Sequence, residues 1–149
     1  MQRRKKIELP QDIRAFRASW SRTTMVLRHE ELTGSILGAA FDVHTRLGPG
    51  SLESAYEECL CYEFARRRIP FERQVPLPLA VEEIKLRCGY RMDFVVDRSV
   101  VVELKSIDGF LPIHEAQLLT YLRLGGYPVG LMINFNVRKL KDGIMRRVL

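Results

Sequence analysis

Apolar and polar positions alternate with two different periods along this chain, and the change of period marks its elements. Between residues 29 and 47, Leu32, Ile36, Leu37, Ala40, Phe41, Val43 and Leu47 recur at helical spacing. Leu47-Gly48-Pro49-Gly50 then supplies a stop, because Gly accepts the left-handed position after a helix and Pro cannot continue one. A second helix is expected from Ser51, as N-cap, to about Arg68, burying Leu52, Ala55, Tyr56, Cys59, Leu60 and Phe64. Ile69-Pro70 breaks it, and β-branched and aromatic runs predict strands over 71–79 and 84–88. Two further runs, Phe94-Val95-Val96 and Val100-Val101-Val102, flank the polar residues Asp97-Arg98-Ser99 and read as an interior antiparallel hairpin. Leu111-Pro112 opens a third helix with Ile113, Ala116, Leu118, Leu119, Leu122 and Leu124 on its apolar side, closed by Gly125-Gly126. A buried strand over 129–135 and a short closing strand over 143–149 complete the pattern. The order predicts an α/β (α+β) domain with a mixed central sheet flanked by helices.

At 149 residues with 46% apolar content, one domain with a sizeable core is expected. No apolar run is long enough to span a bilayer, and no secretory leader follows the basic start. Three cysteines, Cys59, Cys61 and Cys88, with no C-x-x-C pair read as reduced thiols, so a cytoplasmic location is expected. The net charge of +6 is local: residues 1–28 hold eight Lys/Arg against two acids, while 29–149 are neutral. The chain therefore divides into a basic extension over 1–28 and a domain over 29–149, and the domain has no general cationic surface. Residues 1–24 read as a nucleic-acid-contacting arm, as a flexible tail, or as an over-extended reading frame with the natural start at Met25.

The central hairpin carries the candidate chemistry. Asp93, Glu103 and Lys105 stand at the ends of its apolar runs. Alternation puts Glu103 and Lys105 on one face, and a turn at 97–99 brings Asp93 back towards Glu103. Two carboxylates beside one ammonium at the edge of an apolar sheet are costly unless paired or bound to a cation. Either they form a hard-oxygen site for Mg2+ or Mn2+, or they form a structural ion pair at a strand end. Elsewhere, His44 beside an apolar stripe reads first as a core or capping residue. Glu53 in a first helical turn is stabilised by the helix dipole with or without a metal. Arg66-Arg67-Arg68 reads as a solvated helix end or a phosphate contact. Gln117 and Tyr121, four apart, share one helical face.

D-x9-E-x-K on a hairpin resembles the signature of the PD-(D/E)XK nuclease superfamily. Gly50-Ser51-Leu52-Glu53-Ser54-Ala55-Tyr56 also matches the G-x-x-E-x-x-Y signature of the small proteins named for it, a family grouped within that superfamily. LGPG at 47–50, IPFERQVPLP at 69–78, LPIHEAQLLTYL at 111–122, INFNV at 133–137 and LKDGI at 140–144 resemble the same family, so the likeness runs from about residue 29 to the C-terminus. Met92 stands where the nominal motif has Pro, and every charged position of the site is intact.

The resemblance implies a restriction-endonuclease-like core and metal-dependent hydrolysis of nucleic-acid phosphodiesters, with DNA favoured over RNA. It implies Mg2+ (or Mn2+) held by Asp93, Glu103, the carbonyl of Leu104 and Glu53, with Lys105 at the reacting phosphate. Gln117 and Tyr121 match a Q-x-x-x-Y element that flanks such sites and contacts substrate. The alternative is a non-catalytic nucleic-acid-binding or scaffold protein that retains the fold. No membrane contact is expected, and a homodimer or protein partner is left open.

Overall fold

The computed structural model describes residues 22–81 and 84–149, with side chains over 29–77 and 89–149. The elements run α1 (Arg22–Leu47), α2 (Glu53–Arg66), β1 (Phe71–Val81), β2 (Ile84–Val96), β3 (Val100–Lys105), α3 (Pro112–Gly125), β4 (Val129–Asn134), a 3-10 turn (Leu140–Gly143) and β5 (Ile144–Val148). The five strands form one sheet in the order β1-β2-β3-β4-β5. Only β3 and β4 pair in parallel, with α3 as the crossover that a parallel connection needs. The mixed α/β class expected from the pattern is the class observed.

Alternation along the strands assigns each face. Val100, Val102 and Leu104 of β3 join Leu131 and Ile133 of β4 in a core under α1 and α2, filled by Ile36, Ala40, Val43, Tyr56, Leu60 and Phe64. Val101 and Met132 face the other way, into a second core with Leu118, Tyr121 and Leu122 of α3. β3 and β4 are thus covered on both sides, which is why they read as continuous apolar runs. The hairpin turns through Asp97-Arg98-Ser99, with Asp97 at φ 46° and Arg98 at φ 55°, closed by the Ser99 N–H donating to Val96 O at 3.0 Å. That twist matches the flanking strands. Gly48, at φ 63°, ends α1 in the left-handed position expected of it.

Several expected boundaries differ. α1 begins at Arg22, upstream of residue 29; the RRKK run and the rest of 1–21 lie outside the described residues. Residues 84–88 are not a separate strand but the start of β2, which runs on through Asp93 to Val96. The N-cap of α2 is Leu52, not Ser51, and it makes no side-chain cap because leucine carries no acceptor. Leu52 is 75% exposed, and Phe41 and Leu47 on α1 are exposed too. On α3, Ile113 and Leu124 are exposed while Tyr121 is buried in their stead. The helix rotates to bury the one residue whose aromatic body reaches Met92 and Val95 across β2.

Candidate functional site

The site forms where the sheet splits. β2 pairs with β3 only over Phe94↔Val102, Val95↔Val101 and Val96↔Val100. Beyond that, β2 stays with β1 and β3 stays with β4. The next positions across the gap are Asp93 and Glu103, and their carboxylates replace the missing ladder. The Asp93 N–H donates to Glu103 Oε1 at 2.9 Å, and the Leu104 N–H donates to Asp93 Oδ2 at 2.8 Å. A strand residue directs its N–H and C=O to the same edge, so the Leu104 carbonyl also faces the fork. Two carboxylates and one carbonyl therefore converge on one gap.

Their charges are poorly compensated. Glu103 is 4% exposed. Burial first, and Asp93 second, push its carboxyl up to about 9, against the pull of Lys105. Asp93 is raised as well, by burial and by Glu57, although the Leu104 N–H and Gln74 oppose the shift. Lys105 follows Glu103 on the same strand face and acts on Glu103 and Glu53 through space. Among the described residues no carboxylate closes an ion pair with it.

Glu53 is brought to this gap by its own signature. Tyr56 is fully buried, stacked on Phe135 with ring centroids 4.4 Å apart, and its hydroxyl donates to Gly48 O and accepts the Ser51 N–H. Ser106, next after Lys105, donates its hydroxyl to Ser51 O at 2.8 Å. The glycine turn, the tyrosine and the serine thus tie the start of α2 to the end of β3. Glu53 is exposed at that junction, its carboxyl raised by partial desolvation, lowered by Lys105 and raised by Asp93 and Glu57. On the opposite side, Gln117 donates to the Tyr121 hydroxyl at 2.8 Å. Burial, then the charge of Glu103, push that phenol up to about 12, so α3 presents Tyr121 to the carboxylates. Tyr90 packs against Tyr121 with ring centroids 5.4 Å apart. Asp93, Glu103, Lys105, Glu53 and Tyr121 thus act on one another around one fork, and Gln117 is joined to it through Tyr121.

Other candidates fall away from it. His44 Nε2 lies 2.8 Å from Val137 O and its ring packs on Phe135, so it anchors the loop after β4. Arg66 lies at an exposed helix end, as expected, with its side chain 51% exposed, while Arg67 is partly buried; both bind the buried Glu63. Three residues of the site's surroundings had no reading in the sequence. Gln74 donates to Asp93 Oδ1 at 3.3 Å and to Glu57 Oε1, and Arg73 reaches Glu57 at 3.3 Å. The four-residue spacing of Glu53 and Glu57, which puts both on one helical face, was the available signal for Glu57.

A family model described as the PD-(D/E)XK nuclease superfamily matches residues 30–148. The chain belongs to the PD-(D/E)XK nuclease superfamily. Comparison with curated proteins and with solved structures returned no match. Membership gives a nuclease-type domain whose substrate class is nucleic acid, and PD-(D/E)XK nucleases generally use divalent metals such as Mg2+. The donor set in the fork fits such an ion: hard oxygens, excess negative charge and one partly exposed side of the gap. Among the described residues no three His, Cys, Asp or Glu side chains form a ready-made cage. A cation held here would rest on the two carboxylates and the Leu104 carbonyl first. No helix of the described residues is long and apolar enough to cross a membrane.

Proposed function

We propose that this PD-(D/E)XK protein is a divalent-metal-dependent nuclease of the G-x-x-E-x-x-Y family, hydrolysing phosphodiester bonds of nucleic acid, with DNA favoured. The observation that carries the reading is the meeting of Asp93 and Glu103 in the β2/β3 fork with both carboxyls raised and, among the described residues, no cationic side chain paired to either. On this reading Asp93, Glu103 and the Leu104 carbonyl hold Mg2+ (or Mn2+), and Glu53 adds a carboxylate from the start of α2. The ion supplies Lewis acidity and charge neutralisation at the scissile phosphate. Lys105 is a point charge that orients the attacking water or stabilises the crowded phosphorane-like transition state. Gln117 and Tyr121 line the rim, where an amide and a phenol bind the sugar-phosphate backbone by hydrogen bonds. Residues 29–149 act as the catalytic domain, in the cytoplasm, and the basic segment before them adds electrostatic attraction to nucleic acid.

The rival reading, a nucleic-acid-binding or scaffold protein keeping the fold, treats the fork as an ion network in which Asp93 pairs with Lys105. Asp93 instead takes its hydrogen bonds from Leu104 and Gln74. The deciding experiment incubates the protein with single- and double-stranded DNA and with RNA, in Mg2+, Mn2+ or EDTA. Metal-dependent cleavage that disappears in Lys105→Met, with metal binding retained, supports the nuclease. Metal and nucleic acid bound without cleavage of any substrate supports the binding module.

A further inference from the structure

Gln74 occupies a place that the nuclease reading leaves unused. Its amide nitrogen donates to two carboxylates at once, Asp93 Oδ1 at 3.3 Å and Glu57 Oε1. Glu57 is held from behind by Arg73 at 3.3 Å, and Arg73 also binds Glu58. The backbone of Gln74 is left-handed, φ 51°, a region that L residues other than Asn and Asp rarely adopt. The β1–β2 pair also changes faces here. Phe71 and Phe94 pack towards α1 and α2, whereas Val75 and Met92, across from each other, pack towards α3. Unbroken alternation would have kept them on one side. Strain of this kind persists where surrounding structure enforces it, and it concentrates at functional sites.

We infer that Gln74 is a positioning residue whose amide, anchored through Glu57 and Arg73, fixes the rotation of the Asp93 carboxylate so that the fork accepts one divalent cation. The inference rests on the metal-site reading above. The Asp93 carboxylate is held at Oδ2 by the Leu104 N–H, and its terminal torsion is soft and roughly two-fold. A second bond at Oδ1 fixes that torsion. Each carboxylate oxygen accepts more than one hydrogen bond or ligand, so both contacts leave lone pairs for a cation. The donor is also neutral. A guanidinium at this position would neutralise Asp93 and repel a metal, and the structure keeps Arg73 one link away, bonded to Glu57 and Glu58.

The test compares the parent with Gln74→Gly and Gln74→Leu. Glycine removes the amide but accepts the left-handed backbone, so Gln74→Gly folds, as a melt in EDTA will verify. Calorimetric titration with Mg2+ and with Mn2+ should show metal affinity about 10–100-fold lower in both variants, the range for loss of a group that orients a ligand. Cleavage should need correspondingly more metal, with the KM for nucleic acid at saturating metal unchanged. Parental metal affinity in Gln74→Gly overturns the inference and leaves the site intact. Loss confined to Gln74→Leu overturns it too, because packing and not the amide is then responsible. A parent that binds neither metal overturns the inference together with the metal-site reading.

Discussion

Two buried glutamates, Glu63 and Glu103, show how one protein uses the same side chain for opposite purposes. Glu63 on α2 is 0% exposed and surrounded by guanidinium groups. Arg46 lies 2.9 Å from Oε1, Arg66 2.9 Å and Arg67 3.3 Å from Oε2, and Arg67 continues to Asp42 on α1. Arg66 above all, then Arg67, hold its carboxyl below the ordinary range despite burial. Glu103 has a backbone N–H, a second carboxylate and a distant ammonium for company, and burial drives its carboxyl up to about 9. The first arrangement is electrostatically complete and ties α1 to α2. In the second, among the described residues, Lys105 acts only through space and no cationic side chain pairs with the carboxylate; on the proposed reading a divalent cation completes it. Burial of an ionisable group is therefore not a sign of function by itself; the balance of its partners is.

The contrast is broken most forcefully at Lys105. Replacing it with Met should lower the cleavage rate by about 10²–10³-fold, the usual cost of removing one transition-state charge or donor. Glu63→Gln should leave cleavage per folded molecule unaltered, so comparable rate losses in both variants would erase the distinction.

Stability against pH separates the two glutamates without any substrate. Between about 4.5 and 9, native Glu103 keeps a proton that the unfolded chain releases. In EDTA this group's contribution therefore falls as pH rises through that window, on the order of 2–4 kcal/mol between pH 5 and 8. Glu63 has the opposite sign. Its contribution is present above 4.5 and is lost as pH falls through its lowered value. Denaturant melts across pH should show Glu103→Gln flattening the neutral-to-alkaline decline and Glu63→Gln flattening the acid one. Interchanged effects would contradict the assignment.

Removing the Glu63 carboxylate altogether, in Glu63→Ala, should cost about 2–3 kcal/mol, because three guanidiniums lose their shared acceptor although they regain water. A smaller effect is expected at the rim. Tyr121→Phe deletes the acceptor of the Gln117 bond and should cost under about 1 kcal/mol by the same melts. A larger loss would place Tyr121 in the structural class with Glu63.

What the sequence disclosed of all this follows a physical division. The hairpin, its turn and the parity that joins Glu103 to Lys105 depend on neighbours in the chain, so alternation alone exposed them. Gly48 and the break after Leu47 were equally local. Glu63 was not legible, because a glutamate near three arginines at a helix end has the composition of a solvated surface; only the packing of α1 on α2 buries it. Gln74 was hidden for a different reason. A left-handed glutamine and a change of strand face have no periodic signature, and they lie beside the point where β3 departs from β2. The orientation of α3 was misjudged from Leu124 and Ile113, since a helix with apolar residues on several sides needs the sheet to choose which face it buries.

A thermal melt of two proteins tests most directly the proposal that the fork binds a divalent cation. The parent and Asp93→Asn are each melted in Mg2+ and in EDTA. The parent should gain stability with Mg2+, by about 2.7 kcal/mol at a hundredfold excess over Kd. Asp93→Asn should lose that gain while its EDTA melt stays at or slightly above the parent's, because Glu103 no longer has a carboxylate beside it opposing its ionisation. A parent unmoved by Mg2+, with Asp93→Asn melting well below it in EDTA, would mean that Asp93 is held as a structural anion like Glu63, and the account of the fork would be wrong.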